Sequence, residues 1–429
     1  MPPELQQAIA DARAKKKGAK KILVLINPPY AEVTNRGNVE GSSKAGVTKT
    51  RFAEFGMEGY GKATNELFTQ FVARIYKEIP GATLAMFSPL KYINTQTLGD
   101  FREKWKAEYL GGFVVHSQTF DGLIGNFPIG FLIWNTNKHI PIGTVSAVAL
   151  DRDGNNVGEK ILCNYDGQPL LTDWVDRPLV NIKEVVPLKN AITPATATRD
   201  LRGTRWSNGA IAWLNCAGND LQNAMDKTML FSSGYGSARG YFVNPENLWK
   251  AAIVFAVRMV IPHTWLNHND QFLQPSQPLT EEFKSDCLVY MLFAGKNLTA
   301  GANGLEWNNK QWSLTNHFIP FTETEVSAKG RFESSFMSDY IAKLKLSAEA
   351  RAVMSEGKKL WQQYHASQYE KKIRDEYKLN RPDVGWYQIR KALEANNDNE
   401  PVDFTPFKEV YDALSSKLRP MVYALGFLR

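Results

Sequence analysis

Three cysteines in 429 residues, Cys163, Cys216 and Cys287, are too few and too widely spaced for a disulfide framework or a structural zinc site. An odd, scattered set fits a reducing compartment, and a cytoplasmic location is expected. No apolar run approaches the roughly 18 residues that a spanning helix requires, and the first residues hold no apolar signal core, so no membrane partner is expected. Histidine is scarce, with six in all. His263, His268 and Asp270 follow no common ligand spacing, so no metal is expected. Neither sign of charge dominates: 51 Lys and Arg face 44 Asp and Glu, a net charge of +7. That moderate basic excess is compatible with a polyanionic partner without requiring one. What remains, 43% hydrophobic and 22% charged residues, describes a globular chain long enough for two or three domains.

The most informative stretch is Lys21-Ile22-Leu23-Val24-Leu25-Ile26-Asn27-Pro28-Pro29-Tyr30. Five consecutive apolar residues from Ile22 to Ile26 suit a central parallel strand covered on both faces better than a half-exposed one. Pro28 and Pro29 donate no N–H and restrict the residues before them, so the strand ends there with carbonyls free to face a ligand. Open α/β sheets place their sites at such strand ends. An Asn-Pro-Pro-Tyr string can also form an ordinary turn, but the buried strand before it favours a site.

Asn27-Pro28-Pro29-Tyr30 resembles the catalytic motif of the amino-methyltransferases, above all the adenine-N6 DNA methyltransferases. The resemblance implies S-adenosylmethionine as cofactor and direct transfer. The target amine would be held by the Asn27 side-chain oxygen and the Pro28 carbonyl, with Tyr30 stacked on the base. An exocyclic amine conjugated to a purine is a poor nucleophile, and two acceptors on its hydrogens favour the form with an available lone pair. The same tetrapeptide occurs in enzymes that methylate protein glutamine or RNA guanine, so it specifies an amino acceptor more firmly than DNA.

The following segments fit the second half of such a sheet. Thr64 to Tyr76 places Leu67, Phe68, Phe71, Val72 and Ile75 on one helical face. Ala82 to Pro89 is a second apolar strand ending at a proline, with polar Lys91, Tyr92, Asn94 and Thr95 after it. Gly112 to His116 and Pro128 to Trp134 supply two more strands around a loop at Phe120-Asp121-Gly122. His116 reads as a core or sheet-face residue, since this chemistry needs no strong general base.

One motif of the family is missing. Its members carry, before the Asn-Pro-Pro-Tyr strand, a glycine-rich turn of the Asp-Pro-x-x-Gly-x-Gly kind that cradles the cofactor. The 26 residues before Asn27 contain none. The downstream string Gly234-Tyr235-Gly236-Ser237-Ala238-Arg239-Gly240 lacks the leading acid and proline and reads as a glycine-rich loop. The cofactor-binding residues are therefore not identifiable, and the chain is expected to be truncated, or split from an upstream-encoded cofactor-binding polypeptide.

The expected fold class is α/β: the C-terminal half of a Rossmann-like methyltransferase sheet over residues 1–140, an α+β target-recognition region over 141–337, and a helical segment over 338–429. The long Gly- and Asn-rich loop after Tyr30 offers Lys44, Lys49 and Arg51 as backbone contacts for DNA. Arg202 and Arg205 add to these in a region mixing basic, amide and aromatic residues. Phrases near the C-terminus, Asp383 to Ile389 and Leu418 to Leu428, look similar to the ends of large bacterial and phage adenine-specific methyltransferases. The implied function is site-specific DNA methylation in a restriction-modification, phage or orphan system. The alternatives are a DNA-binding or target-recognition subunit without catalysis of its own, and an RNA or protein amino-methyltransferase.

Overall fold

The computed structural model describes residues 2–31, 50–123, 125–182, 205–234, 240–307, 309–396 and 401–429. The chain is α/β, with parallel and antiparallel strand pairs and a helical C-terminal segment. It divides into two compact units. The first comprises Met1–Gln168 with His263–Asp270, and the second Pro169–Pro262 with Gln271–Arg429.

The first unit is built on six strands: β1 (Leu23–Ile26), β2 (Thr83–Pro89), β3 (Glu108–His116), β4 (Pro128–Asn135), β5 (Thr144–Leu150) and β6 (Asn156–Cys163). Their order is β1-β2-β4-β3-β5-β6. β1 and β2 are parallel, β4 runs antiparallel to both β2 and β3, β3 and β5 are parallel, and β6 closes antiparallel to β5. Among the described residues its helices are α1 (Pro3–Arg13), α2 (Arg51–Phe55), α3 (Leu67–Glu78), α4 (Lys91–Asn94) and α5 (Gly99–Lys104).

One face of this sheet carries the core. Val24, Leu84, Met86, Val114, Leu132, Trp134, Val145, Ala147 and Leu162 pack with Phe68 and Val72 of α3 and with Phe101 of α5 and Trp105. The opposite face holds Leu23, Leu25, Phe87, Phe113, Phe131 and Ile133, by the two-residue alternation of each strand. Lys160 on β6 donates to both oxygens of Asp270, at 2.8 and 2.7 Å, within the segment His263–Asp270. Burial raises the Asp270 pKa, and the ammonium opposes that shift.

Three expectations are corrected here. β1 is an edge strand, not a central one covered on both faces: Leu23 and Leu25 are each 67% exposed, while Val24 and Ile26 pack on the core. The apolar run shows that both sides suit burial, and only one is buried. The boundary expected at residue 140 falls at Gln168, because β5 pairs with β3 and carries the sheet onward. Phe71, expected on the inward stripe of α3, is 44% exposed, and Thr69, Gln70 and Ala73 take part of the buried face.

In the second unit, β7 (Asn181–Ile182) and β8 (Arg205–Trp206) form a two-stranded ladder. β9 (Ala212–Cys216), β10 (Thr228–Phe231), β11 (Gly240–Val243) and β12 (Asn297–Leu298) form a sheet of order β11-β9-β10-β12. The apolar helix α6 (Leu248–Val260) pairs with α7 (Glu281–Phe293). Both helices are apolar on most sides and buried accordingly. β13 (Ala302–Trp307) and β14 (Lys310–Leu314) make a hairpin. The helices α8 (Phe336–Ile341), α9 (Ala348–Ala366), α10 (Lys371–Glu376), α11 (Trp386–Ala395) and α12 (Thr405–Ala424) complete the unit. The segment expected over 338–429 is helical but shares one core with α6 and α7, and does not separate as a domain.

His365 on α9 lies against Phe332 and Tyr364 with its Nε2 unpartnered, and burial pushes its pKa down to about 4. The unfolded chain therefore takes up a proton at this residue at higher pH than the folded one. Stability is complete above the ordinary histidine value near 6.5 and is lost as pH falls toward about 4. Allowing for its partial exposure, the loss is about 1–2 kcal/mol. In urea melts at pH 7 and pH 4.5, His365→Phe should reduce the difference between the two conditions by that amount. An unchanged difference would show that other groups set the acid sensitivity.

Candidate functional site

The Asn27 corner forms because the strand cannot continue through two prolines. Pro28 is buried and Pro29 exposed. The Leu67 N–H, at the start of α3, donates to the Ala31 carbonyl at 3.0 Å and ties the turn to that helix. Beside it, Glu66 is 8% exposed and accepts from Lys91 Nζ at 2.8 Å.

Asn27 is exposed, and its Oδ1 accepts a hydrogen bond from Tyr30 Oη at 2.7 Å. Burial pushes the Tyr30 phenol well above its ordinary range, so it stays protonated and remains a donor. The structure thus brings the expected acceptor and the expected stacking ring together, with the acceptor capped by the tyrosine hydroxyl.

Continuing the β1–β2 register by one rung sets Asn27 level with Phe87. Phe87 belongs to an aromatic group that the sequence reading missed. Its ring centroid lies 4.7 Å from Phe131, 5.3 Å from Phe120 and 6.3 Å from Phe113, and Phe113 stacks on Phe131 at 5.3 Å. All four are half-buried. Phe87, Phe113 and Phe131 occupy one cross-strand row, which the strand register sets and no local sequence pattern marks. Such a row offers planar apolar surface on which a flat ring can stack.

The polar residues after β2 are mostly structural. Tyr92 is fully buried and accepts from Trp134 Nε1 at 3.0 Å, and Asn94 is 1% exposed. Arg102 donates to the Tyr92 and Thr95 carbonyls at 3.0 and 2.9 Å. His116 is buried at the end of β3. Its Nδ1 accepts from the Gln118 N–H at 3.0 Å, which leaves Nε2–H to donate to Asn126 Oδ1 at 2.8 Å. With both ring nitrogens engaged, it serves the loop geometry rather than proton transfer.

Arg51 is exposed at the first position of α2, behind an N-cap in which Thr50 Oγ1 accepts from the Ala53 N–H. Lys44, Lys49 and Arg202 lie outside the described residues. Arg205 opens β8 in the second unit. Of the glycine-rich string, Gly240 starts β11 and residues 235–239 lie outside the described residues.

Among the described residues of the first unit, no set that would hold S-adenosylmethionine is identified. Holding such a cofactor in an open α/β sheet takes a strand next to the acceptor strand, a glycine turn whose backbone N–H groups face the ligand, and a carboxylate for the ribose. Among the described residues, β1 pairs with β2 alone, and its other edge carries no such turn. Among the described residues, no helix is long and apolar enough to cross a membrane.

No family model and no curated protein matches this chain. Among solved structures, it is similar to an ATP-dependent Type ISP restriction-modification enzyme, LlaBIII, bound to DNA, with a TM-score of 0.24 and 11% identity. The match spans 50% of this chain and 16% of that one. It is a weak structural likeness, and it assigns neither a residue nor a reaction here.

Proposed function

We propose that the first unit is the amino-acceptor part of an adenine-N6 DNA methyltransferase, with S-adenosylmethionine held by groups outside its described residues. The observation that carries this reading is the corner itself. An Asn-Pro-Pro-Tyr turn closes an α/β strand at its C-terminal end, with Asn27 exposed and Tyr30 in hydrogen-bond contact with it. The exocyclic amine would place one hydrogen on Asn27 Oδ1 and the other on the Pro28 carbonyl, directing its lone pair away from both. The Tyr30 ring and the row at Phe87 supply stacking surface for a purine rotated out of its duplex, as chemistry on a paired base requires. Arg51 and Arg205, with Lys44, Lys49 and Arg202, are the proposed backbone contacts, and the second unit the target-recognition part. A restriction-modification, phage or orphan methylation system is the fitting context.

A second reading, a DNA-binding or target-recognition subunit without catalysis, is favoured by one observation: among the described residues of the first unit, no set that would hold the cofactor is identified. Calorimetric titration separates the two. Heat with S-adenosylmethionine, from the chain alone or paired with a cofactor-binding polypeptide, supports the first reading. Binding absent from the pair as well would leave the subunit reading.

The Tyr30 cap has its own expected effect. Asn27 Oδ1 has two acceptor positions, and a target amine that takes the one the phenol holds must displace it, so Tyr30→Phe keeps the ring and frees that position. A single exposed hydrogen bond is worth about 0.5–1 kcal/mol, so the KM for target DNA should fall by about twofold to fivefold in the reconstituted pair. A rise would mean that the hydroxyl holds the substrate rather than competing with it.

A further inference from the structure

The second unit holds a cavity of about 120 Å³ among the first turns of α6 and α7 and the helix α8. Leu288 and Leu344 line its apolar part, Trp249 and Tyr340 are its two rings, and Glu281 and Lys284 are its charged groups. A cavity of roughly 150 Å³ admits a benzene molecule, so this one takes the leading edge of a six-membered ring. Its polar groups are matched to one another. Lys284 Nζ stands 4.8 Å from the Trp249 ring centroid and donates to Glu281 Oε1 at 2.7 Å. The Glu281 side chain is 83% exposed, so that ion pair is weakly held. A second ammonium, on Lys250, lies 5.8 Å from the same centroid, and Lys343 and Lys345 are exposed on either side of Leu344. Burial, together with the Glu281 carboxylate, raises the Tyr340 pKa, so its hydroxyl stays protonated and able to donate.

We propose that this cavity binds an unpaired, amino-bearing nucleobase of a nucleic-acid strand. The base takes the place of the Lys284 ammonium on Trp249, because a stacked base is held more strongly than an exposed cation over a ring. The released ammonium moves to the phosphate of the same nucleotide, with Lys250, Lys343 and Lys345 as neighbouring cations. Glu281, having given up its lysine, accepts from the exocyclic amine. Each group exchanges one partner for another, and no charge is left unpaired. The carboxylate also selects. Cytosine, adenine and guanine each carry an amine, whereas thymine presents a carbonyl oxygen where cytosine has its amine.

An acidic peptide fits the cavity less well. It would satisfy the lysines, but it offers no flat ring with an amine for Trp249 and Glu281 to hold together. The inference goes beyond the methyltransferase reading and does not rest on it, since neither Asn27 nor S-adenosylmethionine enters its test.

The test is fluorescence anisotropy with the full chain and labelled single-stranded homopolymers of about a dozen nucleotides, deoxycytidine against deoxythymidine, with dCMP and a poly-glutamate chain as competitors. The deoxycytidine strand should bind about tenfold more tightly than the deoxythymidine strand. Trp249→Leu should weaken the deoxycytidine strand by about tenfold. That ring is half-buried and meets Trp174 edge-on, so Glu281→Ala, at an exposed position, is the second variant. It should leave the thermal melt in place and bring the two strands to within about twofold of each other. A surface that only attracts phosphate would show no base preference to lose. Equal binding of the two strands, or a preference that survives Glu281→Ala, would overturn the proposal. So would dCMP competing as well as the strand does, which would make the cavity a site for free nucleotides, or poly-glutamate competing equally, which would put an acidic protein there. If the strands bind as described and no methyl group is transferred to DNA, the base site stands and the methyltransferase reading fails. A chain that methylates DNA but shows no base preference here fails this inference alone.

Discussion

Asn27→Ala should remove methyl transfer from the reconstituted pair while leaving its affinity for DNA within about twofold. The side-chain oxygen is one of two acceptors proposed for the target amine, and it is exposed at a corner that other groups hold in place. The prolines fix the backbone, and the Leu67 N–H anchors Ala31. Removing the amide therefore takes away a positioned acceptor without disturbing the turn. Loss of one such preorganised group costs about a hundredfold to a thousandfold in kcat in other enzymes. The effect should appear in kcat rather than KM, because the acceptor matters most when positive charge develops on the amine. Parallel titrations of DNA with native and variant pairs would separate transfer from binding. Activity within tenfold of native would remove Asn27 from the acceptor site.

The second large effect concerns the fold. Asp383 is fully buried and accepts two hydrogen bonds from Arg381, Nε to Oδ1 and Nη2 to Oδ2, both at 2.7 Å. Its Oδ2 also accepts from the Glu333 N–H at 3.2 Å. The Arg381 guanidinium, itself 8% exposed, has Glu333 at 2.8 Å as a second carboxylate, and these partners hold its pKa above the ordinary range. Truncating one member of a buried pair strands the other charge, at a cost of about 3–5 kcal/mol. Asp383→Ala should therefore destabilise the second unit by about that amount, as a lower urea midpoint with an unchanged slope. Lys371→Ala is the control. Lys371 pairs with the exposed Asp375, and the change should cost under about 0.5 kcal/mol. A loss below about 1 kcal/mol for Asp383→Ala would mean that Glu333 alone satisfies Arg381.

Much of the first unit was legible because its signals are local. The stop at Pro28 and Pro29, the proline ending β2, and the two strands either side of Phe120 all came from residue type and spacing. The edge position of β1 did not. An apolar run shows that a strand suits cover on both sides, but whether a neighbour supplies it depends on pairing that no local pattern encodes. Phe71 failed for a related reason: a wide helical stripe includes positions at its border, and packing decides which of them turn inward. The helix α7 was missed although its start is marked, with Thr280 accepting from the Phe283 N–H behind Glu281 and Glu282. It is apolar nearly all round and so lacks the periodic stripe that identifies an amphipathic helix.

The candidate site was half legible. Asn27 and Tyr30 stand three positions apart in one sequence motif and meet in the structure. Phe87, Phe113 and Phe131 come from three different strands and are brought into one row only by the register of β2, β4 and β3. Phe120 joins them from the loop between β3 and β4. Phosphate contacts spread over loops could be named by residue type alone, since nothing local in a basic side chain says where it ends.

The most direct measurement is the chemical identity of the methylated product. The chain, alone and paired with a cofactor-binding polypeptide, would be incubated with methyl-labelled S-adenosylmethionine and duplex DNA, and the DNA digested to nucleosides for mass spectrometry. Label in N6-methyl-2′-deoxyadenosine, absent with Asn27→Ala, is the predicted result. Label in cytosine, in RNA or in protein, or label that survives Asn27→Ala, would contradict the account.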